Sequence, residues 1–276
     1  MAGTLFVVAT PIGNLEDLTF RAARILREVP LVAAEDTRRS GNLLRHLGST
    51  ASLVSLHEHN EEARTATVLH RLAQGDSVAL VSDAGTPAIS DPGAKLVAAA
   101  AAAGFRVEPI PGASAVMAAL SASGLDSEWF SFAGFPPARG KARKQWFADV
   151  KARATNGPVV AFEAPHRILQ TLKELDVLFN DQISVFRELT KLHESRYSGR
   201  PAEIAGLIDP VAGEFTLVIP RLAESTAAEV RPTDDEVRVM FGQITDLPAR
   251  AAARAVATAT GLSANEVYDI VQRGRT

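Results

Sequence analysis

The sequence predicts an α/β protein with two α/β domains followed by a small C-terminal helical module. Two series of short apolar strands alternate with helical segments, a pattern typical of sheets covered by helices. The length of 276 residues suits two medium domains with a small addition. Apolar residues make up 46% of the chain, which is enough for cores of this size. We place the domains at residues 1–111, 112–222 and 233–276.

The first series of elements runs from residue 4 to residue 110, and one more helix follows a break at Pro111–Gly112. Apolar, β-branched runs predict strands at residues 4–9, 31–34, 53–56, 77–81 and 106–110. Helical spacing of apolar residues predicts helices at residues 18–29, 61–73, 94–103 and 113–123. Because these strands alternate with helices, we expect a mostly parallel sheet that is covered on both faces.

The second series predicts another α/β domain. Its strands are expected at residues 129–133, 158–162, 183–188 and 215–219, and its helices at residues 141–152, 166–178 and 201–208. Residues 222–232 have the composition of a linker. Three helical stretches follow at residues 234–244, 247–260 and 263–272, with Thr233 and Ser263 as expected N-caps.

The composition excludes several classes of protein. Cysteine is absent, so a disulfide framework and thiolate metal sites are excluded, and a cytoplasmic location is expected. The N-terminal segment does not resemble a signal peptide, and no apolar run is long enough to span a membrane. The six histidines show no metal-ligand spacing, so we expect no metal site. The net charge is −3, so any charge that binds nucleic acid must be local.

Four predicted strands end in loops with unusual turn residues, at residues 10–13 (TPIG), 34–37 (AEDT), 82–87 (SDAGTP) and 111–114 (PGAS). Ligands of open α/β sheets bind at the carboxyl ends of the strands, so the four loops together predict a cleft. Asp83 supplies a carboxylate, and small residues let the backbone approach a ligand closely. Each loop alone is more typical of an ordinary tight turn.

Two common nucleotide-binding patterns are missing. The first strand is not followed by G-x-G-x-x-G, and the chain has no G-x-x-x-x-G-K-[ST] phosphate loop. Their absence argues against a standard NAD or ATP enzyme. It also argues against the commonest fold that binds S-adenosylmethionine (AdoMet), which has a glycine-rich first loop.

Residues 137–154 (PARGKARKQWFADVKARA) carry an unusual concentration of positive charge. Six basic residues are opposed only by Asp149, which gives a local net charge of +5. One interpretation is a patch that binds a polyanion. The other is the solvated face of a helix whose aromatic residues, Trp146 and Phe147, point to the core.

Read together, these stretches resemble the ribosomal RNA small subunit methyltransferase I family, in the tetrapyrrole-methylase-like group of AdoMet enzymes. The resemblance covers nearly the whole chain in order, and TPIGNL, AEDTR and SDAGTPxISDPG together are highly specific. The matching stretches are ATPIGNLEDLTFRA (9–22), AAEDTRRS (33–40), VSDAGTPAISDPG (81–93), IPGASAVMAALSASGL (110–125), FAGFPP (132–137), FEAPHRI (162–168), RELTKLHE (187–194) and GEFTLVI (213–219).

The resemblance implies two α/β domains with AdoMet in the cleft between them, usually in a homodimer. It implies methylation of a cytidine ribose 2′-hydroxyl in the decoding region of 16S small-subunit ribosomal RNA, free or within the 30S subunit. Ala9 stands where this family commonly has proline, and Phe162 where it commonly has tyrosine, which leaves any role of that hydroxyl open. The expected AdoMet contacts are Pro11, Asp83, Ala84, Gly85, Thr86, Ala113, Ser114 and Phe162.

RNA is expected to contact the basic stretch through Arg139, Lys141, Arg143 and Lys144. A general base would help a weakly nucleophilic 2′-hydroxyl. Four carboxylates are candidates between which the sequence does not choose, with His166 and Lys191 behind them: Glu35, Asp36, Glu163 and Glu188. For Glu35 and Asp36 the alternative is a structural role, in which they cap a helix that begins near Thr37 and pair with Arg38 or Arg39.

Two other functions remain as alternatives. One is a tetrapyrrole (precorrin) methyltransferase, although such enzymes typically have a glycine-rich first loop where this chain has residues 10–13 (TPIG). The other is a non-enzymatic RNA-binding assembly factor that keeps the fold.

Overall fold

The first half of the chain folds into a five-stranded parallel sheet. The structure, a computed structural model, describes residues 2–57, 60–179, 181–222, 232–245, 247–260 and 262–273. The strand order is β3-β2-β4-β1-β5, and every pairing is parallel. The strands are β1 (Thr4–Val8), β2 (Leu31–Ala34), β3 (Ser52–Ser55), β4 (Val78–Val81) and β5 (Arg106–Ile110).

Helices cover both faces of this sheet, as predicted. One core packs α1 (Phe20–Glu28) and α2 (Thr37–His46) against the sheet, through residues such as Leu26 and Val32. The opposite core contains α3 (Glu61–Ala73) and α4 (Ala94–Ala102). All residues of β2 and β4 are buried, which explains why these strands are unbroken apolar runs rather than alternating ones.

The second sheet is mixed and has the order β6-β7-β10-β8-β9. Only β6 and β7 run parallel, whereas β10 is antiparallel to both of its neighbours and β9 is antiparallel to β8. The strands are β6 (Ser131–Phe132), β7 (Val159–Glu163), β8 (Ile183–Arg187), β9 (Ser195–Gly199) and β10 (Phe215–Ile219).

Four helices accompany the second sheet. They are α5 (Ala115–Ser123), α6 (Gly140–Ala154), α7 (Ile168–Leu178) and α8 (Pro201–Leu207). Helix α5 begins just after β5 of the first sheet, yet it packs against β7, β8 and β10 of the second through residues such as Leu120, Val160 and Val218. The α/β fold class is confirmed. The predicted division at residue 111, which falls between β5 and α5, remains a prediction.

The chain divides into two compact units, Met1–Arg221, which contains both sheets, and Leu222–Thr276. The second unit contains α9 (Asp234–Gln243), α10 (Ala249–Thr260) and α11 (Ala264–Arg273) around a small apolar core. Both predicted caps are present, since the Thr233 and Ser263 hydroxyls accept from the Glu236 and Glu266 N–H groups. Most of the predicted linker, residues 223–231, lies outside the described residues. In the described part of the chain, no helix is long and apolar enough to cross a membrane.

Candidate active site

The four loops predicted to form a cleft follow β1, β2, β4 and β5, which are consecutive in the sheet. The loop after β1 is joined to the loop after β4 by a bridge between Thr10 and Gly85, with N···O distances of 2.9 and 3.1 Å. The loop after β4 is joined to the loop after β2 because Asp83 Oδ1 accepts from the Asp36 N–H at 3.0 Å. These contacts hold three of the predicted loops in one layer above the sheet.

A cavity of about 640 Å³ lies between these loops and residues of the second sheet. A volume of this size suits a cofactor or a small ligand. Its lining comes from the strand-end loops, the start of α5, the segment around β6, and the ends of β7 and β10. The residues are Ile12, Glu35, Arg39, Asp83, Ala84, Gly85, Thr86, Ile89, Ser90, Asp91, Ser114, Ala115, Val116, Met117, Phe130, Phe132, Phe135, Phe162, Glu163, Ala164, Pro165, Glu214, Phe215 and Thr216.

Three carboxylates, Glu35, Asp83 and Asp91, make part of the lining acidic. Burial, together with the neighbouring charges of Glu35 and Asp83, raises the pKa of Asp91 to about 6. Burial and the charge of Asp83 also raise the pKa of Glu35. Arg39 lies 3.5 Å from Asp83. Among the described residues, no group of three or more acidic or histidine side chains has an arrangement that could hold a metal ion.

Aromatic rings form another part of the lining. The Phe132 and Phe162 ring centroids are 4.9 Å apart in an edge-to-face arrangement, and Phe135 lies 5.4 Å from Phe162. Phe130 and Phe135 remain partly exposed at 40% and 49%. Such rings provide flat apolar surfaces against which a planar group of a ligand can pack.

Six of the eight predicted cofactor contacts line this cavity: Asp83, Ala84, Gly85, Thr86, Ser114 and Phe162. Pro11 and Ala113 do not line it, but their chain neighbours Ile12 and Ser114 do. Gly85 adopts a φ of +76°, a conformation that favours glycine. The Ser114 hydroxyl caps α5 by accepting from the Met117 N–H at 3.4 Å.

Of the four candidate bases, Glu35 and Glu163 line the cavity, whereas Asp36 and Glu188 do not. Asp36 has the structural role considered above, since it caps α2 and its carboxylate pairs with Arg38 at 2.8 Å. A hydrogen bond from the Arg38 side chain is the main reason why the pKa of Asp36 is lowered to about 2. A carboxylate that binds protons this weakly and does not line the cavity is a poor base.

Glu188 is tied to its neighbours by two contacts: its Oε1 accepts from Lys191 Nζ and from the Glu214 N–H, each at 2.8 Å. Burial raises its pKa, but these hydrogen bonds outweigh burial and lower it. Lys191, a further candidate, is occupied by the same contact and by Glu214 at 3.0 Å. The other one, His166, is exposed and does not line the cavity.

Glu163 is buried and fully engaged with neighbouring side chains. Its Oε1 pairs with Arg167 at 2.9 Å, and its Oε2 accepts from the Thr171 hydroxyl. That hydroxyl accepts from Arg143 at 2.8 Å, and Arg143 also pairs with Glu174 at 3.0 Å. We call these five side chains the arginine brace. Because both carboxylate oxygens of Glu163 are used within the arginine brace, Glu163 is not free to accept a proton from a substrate. Glu35 is the other candidate base that lines the cavity, and its carboxylate is not held in an ion pair of this kind.

The structure corrects one of the four predicted RNA contacts. Arg143 is 4% exposed, belongs to the arginine brace, and packs over the Phe147 ring at 5.1 Å. A guanidinium with these partners is unavailable to a phosphate group, so Arg143 is structural. Arg139, Lys141 and Lys144 are exposed at the start of α6.

Sequence reasoning did not single out Asp91, Glu214, Phe130 or Phe135, although all four line the cavity. Asp91 stands in the SDPG sequence that closes the loop after β4, where it reads as a turn residue. The loop is anchored at its far end because buried Glu61 accepts from the N–H groups of Gly93 and Lys95, each at 3.0 Å. The signal that could have identified Asp91 is its position in this anchored strand-end loop.

Known proteins are similar to this chain over most of its length. A family model described as tetrapyrrole (corrin/porphyrin) methylases matches residues 4–205. Ribosomal RNA small subunit methyltransferase I of Xylella fastidiosa is 42% identical, over 96% of this chain and 98% of its own. The protein of the same name from Pseudomonas aeruginosa is 44% identical, over 97% and 96%.

Solved structures of low sequence identity share the fold. Uroporphyrin-III C-methyltransferase from Thermus thermophilus, complexed with S-adenosylhomocysteine, has a TM-score of 0.56 at 21% identity, covering 78% of this chain and 96% of its own. A diphthine synthase has a TM-score of 0.62 at 17% identity, covering 79% and 90%.

Proposed function

Because the chain belongs to the tetrapyrrole methylase family, and within it to the ribosomal RNA small subunit methyltransferase I group, we propose that it methylates the ribose 2′-hydroxyl of a cytidine in the decoding region of 16S ribosomal RNA. Membership of this group makes the chain an AdoMet-dependent methyltransferase of small-subunit ribosomal RNA. The cytidine and its 2′-oxygen are the proposed refinement. The observation that carries the proposal is similarity to these enzymes over nearly the whole chain, combined with a cavity at the predicted strand-end loops.

The residues of the cavity fit AdoMet. AdoMet carries a sulfonium, an ammonium group and an adenine ring. The carboxylates of Glu35, Asp83 and Asp91 suit its positive charges, and Phe162 offers an apolar surface for its ring. Small residues at Ala84 and Gly85 allow the backbone to approach it. We assign Pro11, Thr86, Ala113 and Ser114 to the same site through the loops that contain them.

The chain's own residues mainly bind, orient and exclude water. When bound, AdoMet supplies a methyl group that its sulfonium has already activated for displacement. The strand-end loops hold the ligand from the first sheet, and the aromatic side chains of the second sheet limit the access of water. No covalent bond to the protein is required, which agrees with a chain that lacks cysteine.

We assign the general base to Glu35. It lines the cavity, and its raised pKa makes it a better proton acceptor than Asp36 or Glu188, whose pKa values are lowered. Glu35 would accept the proton of the 2′-hydroxyl while the ribose 2′-oxygen attacks the methyl group as the nucleophile. Asp91, which the sequence did not indicate, faces the same cavity with a raised pKa and is the alternative base.

We assign RNA contacts to Arg139, Lys141 and Lys144, which are exposed and follow the aromatic segment along the chain. Their charges can pair with phosphates while the nucleotide enters the cavity. We also propose that the enzyme acts as a homodimer in the bacterial cytoplasm, where its ribosomal substrate is located.

Transfer of labelled methyl groups tests this function. Purified protein is incubated with labelled AdoMet and with 30S subunits, free 16S RNA or a precorrin, and the label is then mapped to a nucleotide and an atom. We expect label on one cytidine ribose. Label on a nucleobase would contradict the 2′-oxygen, and label on the precorrin alone would favour the tetrapyrrole reaction. Failure to bind AdoMet in calorimetry would favour a non-enzymatic assembly factor.

A further inference from the structure

One aromatic ring at the cavity is both exposed and well supported. Phe135 lines the cavity, packs at 5.4 Å from the Phe162 ring, and is 49% exposed. Burying such a ring stabilises the folded protein, so a half-exposed ring forgoes part of that stabilisation. An exposed ring that is fixed at the edge of a ligand cavity is arranged to pack against something that enters it.

The backbone on both sides of Phe135 is fixed by hydrogen bonds. Trp146 Nε1 donates to the Ala133 carbonyl at 2.9 Å, and the Phe162 N–H donates to the Gly134 carbonyl at 3.0 Å. On the other side, Arg167 Nη1 donates to the Pro136 carbonyl and Arg143 Nη1 to the Pro137 carbonyl, each at 3.0 Å. The carbonyl groups of the four residues adjacent to Phe135 in the chain are therefore all bound.

Both arginines belong to the arginine brace. Arg167 is held by Glu163 at 2.9 Å, while Arg143 is held by Glu174 at 3.0 Å and by the buried Thr171 hydroxyl at 2.8 Å. Such groups remain ordered only when every partner is present, because an unpaired buried charge is costly. The arginine brace thus transmits the rigidity of β7 and α7 to the segment that carries Phe135.

The surroundings of Phe135 indicate the chemistry of its partner. The cavity that this ring lines is also lined by Asp83 and Glu35. Along the chain, two prolines and one alanine separate Phe135 from Arg139, the first of the exposed cations Arg139, Lys141 and Lys144. A group that is planar and apolar on its faces and attached to a phosphate chain would pack on the ring and pair its phosphates with these cations. A nucleobase of RNA has these properties, and aromatic side chains bind unstacked bases in this way.

We propose that Phe135 stacks on the base of the target nucleotide and thereby places its ribose in the cavity, with the arginine brace as the set of positioning residues that orients the ring. This inference rests on the proposed function, because it requires an RNA substrate. It adds the step by which the nucleotide, removed from its neighbours in the RNA, is held for the reaction.

Substitution of Phe135 separates RNA binding from cofactor binding. Stacking on one base corresponds to a loss of roughly 5- to 150-fold when the ring is removed. We expect kcat/KM for 30S subunits to fall by such a factor in Phe135→Ala, while the AdoMet dissociation constant measured by calorimetry changes by a much smaller factor. Phe135→Trp, which keeps an aromatic face, should retain most of the activity. Phe20→Ala is the matched control, since Phe20 is 97% exposed and does not line the cavity.

A substrate without the target base identifies the stacking partner. Subunits are reconstituted around 16S RNA that has an abasic ribose, with its 2′-hydroxyl, at the target position. Wild-type protein should lose methyl transfer by the same factor as Phe135→Ala on normal subunits, and the variant should lose little more on the abasic substrate. If the losses from the abasic substrate and from Phe135→Ala multiply when the two are combined, the proposal is overturned. It is also overturned if AdoMet affinity falls in Phe135→Ala by the same factor as kcat/KM. If wild-type protein fails to methylate normal subunits, the proposed function itself is wrong.

The arginine brace is tested as a positioning device. Arg167→Lys keeps a cation beside Glu163 but lacks the planar guanidinium that binds the Glu163 carboxylate and the Pro136 carbonyl at the same time. In this variant the loss should appear in kcat/KM for normal subunits and should largely disappear with the abasic substrate. An equal loss with both substrates would show that the arginine brace does not act through the base.

Discussion

The hydroxyl group of Thr171 performs two opposite functions in the arginine brace. It donates to Glu163 Oε2 and accepts from Arg143 Nη2 at 2.8 Å, within a site that is almost fully buried. A hydroxyl can do both at once. It therefore connects a buried carboxylate to a buried guanidinium, in addition to the ion pairs that these two groups make with Arg167 and Glu174.

Replacing Thr171 with valine should destabilise the protein by about 1–3 kcal/mol, because two buried polar groups lose a partner while the side-chain volume hardly changes. Urea unfolding of the variant and the wild type measures the difference. Thr171→Ser, which keeps the hydroxyl, should recover part of the stability. A Thr171→Val protein as stable as the wild type would contradict the role of the hydroxyl in the arginine brace.

Asp91 makes stability depend on pH. Its pKa is raised from 3.8 to about 6 in the folded protein, so the folded state holds the proton more tightly than the unfolded chain does. The free energy of unfolding should consequently fall as the pH rises from about 4 through 6. Before solvent screening is considered, a pKa shift of this size corresponds to a change in the free energy of unfolding of about 3 kcal/mol. Because this carboxyl is partly exposed, screening reduces the expected change to about 1 kcal/mol.

Asp91→Asn should therefore stabilise the ligand-free protein by about 1 kcal/mol above pH 7, and hardly at all near pH 4, where the wild-type carboxyl is protonated. Urea unfolding at both pH values measures this. A stabilisation that is the same at both would show that the charge of Asp91 is not the cause.

Individual residues also show which parts of the candidate site could be predicted from the sequence and which could not. Six of the predicted cofactor contacts lie at the cavity, because the strand-end turns that contain most of them, and the family motifs that they match, are visible in the sequence. Arg143 could not be separated from Lys141 and Lys144 by composition, since its burial depends on Glu174 and Thr171, about thirty residues further along the chain. Asp91 was missed because its raised pKa arises first from burial and then from the charges of Glu35 and Asp83, and both the burial and these neighbours exist only in the folded chain.

At the scale of elements, the start of α6 presents three exposed cations, Arg139, Lys141 and Lys144. Replacing all three with alanine should weaken RNA binding. The logarithm of the binding constant should also fall less steeply with the logarithm of the salt concentration, by about one unit of slope per lost phosphate contact. AdoMet affinity should not change. Binding to 30S subunits over a range of salt concentrations measures both effects.

A control with the same change in net charge removes cations from other helices. Arg64, Lys95 and Lys173 are exposed on α3, α4 and α7, outside the basic stretch. If their replacement weakens RNA binding as much as the α6 variant does, the effect is one of overall charge and the α6 assignment fails.

Most helices and buried strands could be predicted because their apolar residues follow the period of the element. Strand β9 was missed because Ser195–Gly199 (SRYSG) has no apolar run and lies at the edge of the sheet, where it is only partly buried. The strand predicted at residues 129–133 is shortened to Ser131–Phe132. The antiparallel direction of β10 could not be derived either, since strand direction depends on the connection between strands rather than on side-chain pattern.

At the scale of the whole molecule, all residues that line the cavity belong to the first compact unit, Met1–Arg221. A chain that ends at Arg221 should therefore keep the AdoMet affinity of the full-length protein, and calorimetry on both forms tests this. Loss of affinity in a truncated protein whose circular dichroism is that of a folded α/β protein would contradict the assignment of the cofactor site to this unit alone.

The position of β10 has a consequence for how the protein is made. Ribosomes release a chain from its N-terminus, so all strands of the first sheet are available once residue 110 has emerged. In the second sheet, β7 and β8 are joined only through β10, which comes last. A nascent chain halted before Phe215 leaves two inner strands with open edges, which favour association with other chains. Residues 214–216 also line the cavity, so the same late stretch of synthesis closes the sheet and completes the binding site.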